Sequence, residues 1–300
     1  MRTAGLVLVL LLANSVWAAS SESTEMSSVP VFRVETGEVR VTFTAYGDRN
    51  QRITNLSAND FKVLRDGVEV PSITAFENAS DTPLSLVLMC DISESMKPAL
   101  PLEASLKAYL AQSELVETDE VSMVDFGAYV QEKNSRKVIR RLTSLYDSLI
   151  DQIRAQTNDF MRKSVVLVTD GNDNYSLHSM RDVIDAAQRR NMPFYTIAVQ
   201  AKKITNKQSV LRQMAEQTGG RFFVVSTQQQ MFTAMKQIEK ELRSSFVVTF
   251  RADPRSKGVH KLTMQAHGKN LRFVHRSVYF QQEEKDLPPV QNIWPELASH

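Results

Sequence analysis

The stretch LVLMCDISESM, residues 86–96, decides the fold. The apolar run 84–90 reads as a strand buried on both faces, the kind found in parallel sheets. It ends abruptly in Asp91, Ser93 and Ser95, one carboxylate and two hydroxyls at alternating positions. An oxygen cluster at the end of a buried strand points to a ligand there.

Working outward, the sequence alternates strands and helices. Apolar spacing predicts a helix over 102–115, then a strand VSMVDF at 121–126. A helix over 145–153 carries Leu145, Leu149 and Ile153 on one face, and SVVLVTD, 164–170, is a third buried strand. The helix MRDVIDAAQRRN, the strand FYTIAV (194–199), the helix VLRQMAEQTGG and the strand RFFVV follow, with a last helix over 228–243. Gly219-Gly220 is a helix C-cap signal. Such alternation implies a Rossmann-like, mostly parallel sheet with helices on both faces. Ligands of such sheets bind beyond the carboxyl ends of the strands, where Asp91 and Asp170 both stand.

The flanks follow a different grammar. VRVTFTAY, 39–46, alternates apolar and polar residues, and FKVLRDGVEVPSI reads as two strands turned at Asp66-Gly67, a favoured hairpin dipeptide. After residue 243, SFVVTFRAD, HKLTMQAHG and LRFVHRSVYF read as three strands. Neither flank has enough strands to stand alone, so the two are expected to build one small antiparallel β module. The expected organisation is 1–18 signal peptide, 19–28 flexible start, 29–80 and 244–281 β module, 81–243 α/β domain, and 282–300 extended tail.

Hard cations such as Mg2+ take oxygen ligands, and Asp91, Ser93 and Ser95 offer them within one turn. Asp170 reaches the same rim from a neighbouring strand end, to bind the ion or hold one of its waters. The ligands that would favour zinc, His and thiolate, are absent from both loops. Without an ion, Asp91 and Asp170 also read as helix N-caps or turn residues.

These residues carry a resemblance. DISES followed by a helix resembles the metal-ion-dependent adhesion site of von Willebrand factor A domains. VVLVTDGND resembles the segment carrying that site's second Asp, TSLYDSL (143–149) the one supplying its Thr, and AEQTGGRFF the late helix-turn-strand. The flanks NLSANDFKVLRDGVEVPSITAF and IEKELRSSFVVTF are similar to those of secreted bacterial proteins with such a domain. The resemblance covers about 83–242. It implies a protein-binding module, not an enzyme, in which Asp91, Ser93, Ser95, Thr143 and Asp170 surround Mg2+, Mn2+ or Ca2+. An Asp or Glu carboxylate of a partner protein then completes the ion's shell. Where the family often has glycines before the Thr, this chain has Arg140, Arg141 and Leu142, and Thr157 is a rival to Thr143. Asn172, Asp173 and Asn174 read as turn formers, and Asp147 as a structural hydrogen bonder.

Two other functions compete: a hydrolase using a metal-bound water, and a structural subunit whose site has lost its ion. No GxSxG, Walker A, GxGxxG or HExxH motif is present. With 300 residues and a formal charge of +2, the chain shows no bias toward nucleic acid. A basic run, Arg136, Lys137, Arg140 and Arg141, reads as a solvated face or as an attraction for an acidic partner.

Arg2, the apolar run 4–13 and Val16-Trp17-Ala18 read as a secretory signal cleaved after Ala18, giving a secreted or periplasmic protein. That run is too short to span a bilayer, and no other segment is long enough. Cys90 is the only cysteine, so no intrachain disulfide forms, and its apolar setting marks it as a buried small hydrophobe.

Overall fold

The computed structural model describes residues 38–281, apart from 114–118, 133–134, 140–141, 159–160, 200–205, 254 and 269. In chain order the N-terminal flank gives β1 (Glu38–Tyr46), β2 (Arg52–Ile53), β3 (Phe61–Arg65), β4 (Val68–Glu69) and β5 (Ile73–Asn78). The α/β part gives β6 (Leu84–Asp91), α1 (Leu100–Leu110), β7 (Glu120–Phe126), β8 (Ala128–Glu132), β9 (Ser135–Ile139) and α2 (Leu145–Ala155). It continues with β10 (Arg162–Thr169), α3 (Met180–Arg189), β11 (Phe194–Val199), α4 (Asn206–Thr218), β12 (Phe222–Val225) and α5 (Gln228–Arg243). The C-terminal flank adds β13 (Phe246–Arg251), β14 (Gly258–Ala266), β15 (Arg272–His275) and β16 (Val278–Gln281).

The central sheet runs β12-β11-β10-β6-β7, and all four of its strand pairs are parallel. Side chains of a strand alternate between faces, so β6 divides its apolar residues between two cores. Leu84, Leu86, Leu88 and Cys90 pack with Leu102 and Leu106 of α1 and with Met231, Met235 and Ile238 of α5. Val87 and Met89 pack on the other face with Leu149 and Ile153 of α2, Val183 of α3 and Leu211 of α4. Each such fully buried aliphatic side chain contributes about 1.5–3 kcal/mol relative to exposure. Because α1 and α3 leave the neighbouring strands β6 and β10 for opposite faces, a crevice opens between the carboxyl ends of those strands. This is the topological switch point of the sheet.

The flanks interleave, as expected from their strand counts. β1 lies between β13 and β15 in one antiparallel sheet, with β5 beyond β13 and β2 paired to β1. The second sheet runs β16-β14-β3-β4. Both face one core, in which the Phe43 ring meets Phe61 at 5.2 Å, Phe246 at 5.5 Å and Phe273 at 5.8 Å. Asp66 (φ 52°) and Gly67 (φ 86°) turn β3 into β4 with two positive φ angles, as a type I′ hairpin requires.

Three sequence expectations are corrected. The segment 271–280 is two strands, not one: β15 pairs with β1 and β16 with β14. The polar triplet His275-Arg276-Ser277 interrupts its apolar residues at that point. The cause is tertiary: Arg276 is buried between the strands, its guanidinium donating to the carbonyls of Gln188 and Arg40, and Ser277 N–H donates to Gln217 O at 3.2 Å. The predicted helix over 102–115 ends as α1 at Leu110, and 114–115 lie outside the described residues. The hairpin β8–β9, where the sequence reading placed only a basic run, carries Arg136 and Lys137; Arg140 and Arg141 lie outside the described residues. So do the signal-like leader, the flexible start and the tail.

Two glycines are fixed by close approach where α4 ends. A Cβ at Gly220 would lie 2.0 Å from Phe194 O, and one at Gly219 (φ 91°) 2.6 Å from Arg276 N. The helix end therefore sits directly against β11 and the β15–β16 corner. Among the described residues, no helix is long and apolar enough to cross a membrane.

Candidate functional site

Asp91 is the last residue of β6 and Asp170 follows the last residue of the adjacent β10, with Cys90 paired to Val168. The fold thus brings both predicted carboxylates to the switch point. Asp91 is wholly buried. Its Oδ1 accepts from Ser93 N–H at 2.9 Å and its Oδ2 from the Thr169 hydroxyl at 2.6 Å. Ser93 and Ser95 stand with their hydroxyl oxygens 3.1 Å apart, Ser93 buried and Ser95 exposed. Three of the five predicted residues therefore form one contiguous oxygen cluster. Asp170 faces it electrostatically while its own Oδ1 accepts from Asn172 N–H at 2.9 Å.

Burial pushes the Asp91 carboxyl above its ordinary value. Hydrogen bonds from Thr169 and Ser93 oppose that shift, and the Asp170 charge adds to it. A wholly buried carboxylate facing the charge of a half-buried one favours its own protonation or capture of a cation.

Thr143 is 1% exposed and sits just before α2. Its N–H donates to Asn174 Oδ1 at 2.8 Å, and its carbonyl accepts from the Asn174 and Tyr175 amides, each at 3.1 Å. The segment carrying Thr143 is thereby clamped to the loop that follows Asp170. Thr157 is at the far end of α2. Its neighbour Gln156 accepts from Ser85 Oγ at 2.6 Å, at the start of β6, some six residues or ~20 Å of strand from Asp91.

The loop 171–178 also caps α2. Backbone amides in the first turn of a helix have no partner within it. Here Leu145 N–H donates to Asp173 Oδ1 at 2.8 Å, and the Tyr146 and Asp147 amides donate to Ser176 Oγ at 3.0 and 3.2 Å. An acidic group at this end also meets the positive pole of the helix. Asp173 and Asn174, read from sequence as turn formers, are cross-loop clamps. Asp147 returns the interaction, accepting from the Leu177 and His178 amides and from His178 Nδ1 at 2.6 Å.

Burial alone would raise the Asp147 carboxyl, but these hydrogen bonds outweigh it and leave it below its ordinary value. A depressed acid contributes stability above its unfolded value of ~3.9, lost as pH falls through the lower folded value. Asp147→Ala should therefore cost about 1–2 kcal/mol at pH 7. Urea unfolding at pH 7 and pH 3 would check it; an equal gap between variant and wild type at both pH values would contradict this account.

Thr169 was missed from sequence. Its one signal is a hydroxyl closing the apolar run SVVLV immediately before Asp170. Besides bonding Asp91, its oxygen accepts from Gly171 N–H at 3.0 Å, so it couples the two strand ends. Among the described residues, no three His, Cys, Asp or Glu side chains group as metal ligands. The donors here are two carboxylates with hydroxyls, a set suited to a hard cation and not to zinc.

A doubly wound domain with an oxygen cluster at its switch point belongs to the ligand-binding α/β class. Within that class, two models of the von Willebrand factor type A domain match the chain, over residues 21–146 and 128–241. The chain is a von Willebrand factor A domain protein. Such domains are in general protein-interaction modules, often metal-dependent.

Among solved structures, proximal thread matrix protein 1 from the mussel byssus is similar at 13% identity and a TM-score of 0.43. That match covers 66% of this chain and 50% of the mussel protein, so the chain spans half its length. A von Willebrand factor type A protein from Catenulispora acidiphila is similar at 10% identity and a TM-score of 0.42, covering 85% of this chain and 76% of that one. The human COPII-coat protein Sec24c is similar at 9% identity and 0.40, covering 67% and 44%. No curated protein matches the chain.

Proposed function

We propose that the protein is a secreted or periplasmic binding module in which Asp91, Ser93, Ser95, Thr143 and Asp170 hold a divalent cation, Mg2+ or in its place Mn2+ or Ca2+. The observation that carries this reading is the wholly buried Asp91 carboxylate beside Asp170 at the switch point. A bound cation would supply a coordination position for an Asp or Glu carboxylate of a partner protein. The chain's own groups prepare that position: the Ser93 amide and the Thr169 hydroxyl orient Asp91. The Asn174 clamp holds the Thr143 segment. Charge-assisted contact gives the affinity, and the surrounding surface gives the choice of partner.

The test is capture from a native cell-envelope extract with wild type and Asp91→Ala, each in Mg2+ and in EDTA. A protein retained by wild type in Mg2+ alone supports the reading. Equal retention in both conditions, or equal retention by Asp91→Ala, removes it. N-terminal sequencing of exported material should begin at Ala19; a mature chain that still carries Met1 would remove the export proposal.

A further inference from the structure

Among the described residues, five large apolar side chains are exposed, and two share one loop: Tyr175 at 53% and Leu177 at 80%. The other three, Val68, Val224 and Val259, are spread over β4, β12 and β14. An isolated exposed Leu needs no explanation. A pair beside an oxygen cluster, on a loop pinned residue by residue, does. The Tyr175 amide is spent on Thr143 O at 3.1 Å, and the Leu177 amide on the Asp147 carboxylate at 3.0 and 3.1 Å. The intervening Ser176 hydroxyl is held by Asp173 at 2.6 Å. With its backbone fixed from both sides, the loop holds the two side chains in water. The same bonds tie them to the segment that carries Thr143, and the loop begins at Asp170.

We infer that Tyr175 and Leu177 form an apolar contact patch that selects partner segments in which the acidic residue has an apolar or aromatic neighbour. The inference rests on the carboxylate-binding reading above. A rigid patch binds without the ordering cost that a flexible loop incurs. Continuity with the adjoining site argues for a protein segment: the loop begins at Asp170, and Asn174 and Tyr175 are bonded to Thr143, so a partner that presents its carboxylate there meets this loop next.

The experiment is an array of synthetic heptapeptides with a fixed central Asp and varied flanking positions, plus matched central-Ala peptides. The full chain is applied in Mg2+ and in EDTA, and anionic phospholipid vesicles are tested alongside. Wild type should favour Leu, Phe, Tyr or Trp beside the Asp by about tenfold over Ser or Gly at the same position, only in Mg2+. The double variant Tyr175→Ser/Leu177→Ser should lose that preference, keep the Asp-over-Ala preference and melt at the wild-type temperature. Asp-dependent binding without a preference for apolar neighbours overturns the inference and leaves the carboxylate reading standing. So does an apolar preference that survives in the double variant. Absence of any Asp and Mg2+ dependence overturns both. Vesicle binding lost in the double variant would assign the patch to membranes and overturn the inference as well.

Discussion

Adding Mg2+ to metal-free protein at pH 7 should raise its melting temperature, and Asp91→Asn should abolish the rise. A ligand at a hundredfold excess over its Kd stabilises the native state by about 2.7 kcal/mol. For a domain of this size that is roughly 5–10 °C. The variant should also be no less stable than wild type in EDTA. The Asp91 carboxyl is pushed up chiefly by burial, with Asp170 adding to the shift. A raised acid contributes most to stability below its unfolded value, ~3.9, and that contribution is lost as pH rises through the folded value. Once ionised, that carboxylate carries its burial cost. Asn removes that cost, and gives up in exchange one acceptor for the Thr169 hydroxyl. Differential scanning calorimetry of both proteins in Mg2+ and in EDTA decides the matter. An equal Mg2+ response in both would place the ion elsewhere and sink the assignment.

Glu241→Ala should lower the unfolding free energy by about 3 kcal/mol, because it leaves buried or half-buried cations without their counter-charge. Glu241 is 1% exposed, on α5. Its Oε1 pairs with Arg221 Nη1 at 2.6 Å and lies 3.8 Å from Arg52 Nη2. It also accepts from the Tyr46 hydroxyl at the end of β1. The carboxylate thus fastens the β sandwich to the α/β sheet. Arg221 retains partial access to water, which keeps the expected loss at the lower end of the range for a broken buried pair.

Tyr46→Phe removes one hydrogen bond and should cost about 1 kcal/mol. Burial, then Glu241, pushes the Tyr46 phenol up to about 12. Its stabilisation is present below pH ~10 and lost as pH rises through about 12. Urea unfolding midpoints order the three proteins. A Glu241→Ala variant no weaker than Tyr46→Phe would show that the carboxylate is not the fastening group.

The central sheet is legible in the sequence because each of its buried strands is apolar on both faces, a pattern that polar surface cannot mimic. Asp91 and Asp170 stand out because they end such strands abruptly. What was illegible depends on residues distant in sequence. Arg276 breaks the run 271–280 by bonding to Gln188 and Arg40, elements no local pattern connects. Asp173 and Ser176 cap a helix that begins about thirty residues earlier, where a cap is ordinarily sought within a turn. Thr169 is a favoured strand residue, and its β-branched side chain hides the hydroxyl that bonds Asp91.

The interleaved flanks impose an order on synthesis. β1 ends at Tyr46, yet its partner β13 begins at Phe246, about 200 residues later. At roughly 5–20 residues per second, the apolar side chains of β1 wait on the order of 10–40 s for a partner. During that interval Val41 and Phe43, wholly buried at the end, can meet Phe61 of β3 but lack the cover of Phe246 and Val248. The α/β domain can close around its own local crossovers meanwhile, but the sandwich cannot be completed until nearly the whole chain exists. A chain terminated before Phe246 would therefore present its first strand to any holdase or protease it meets, however well the central sheet had formed.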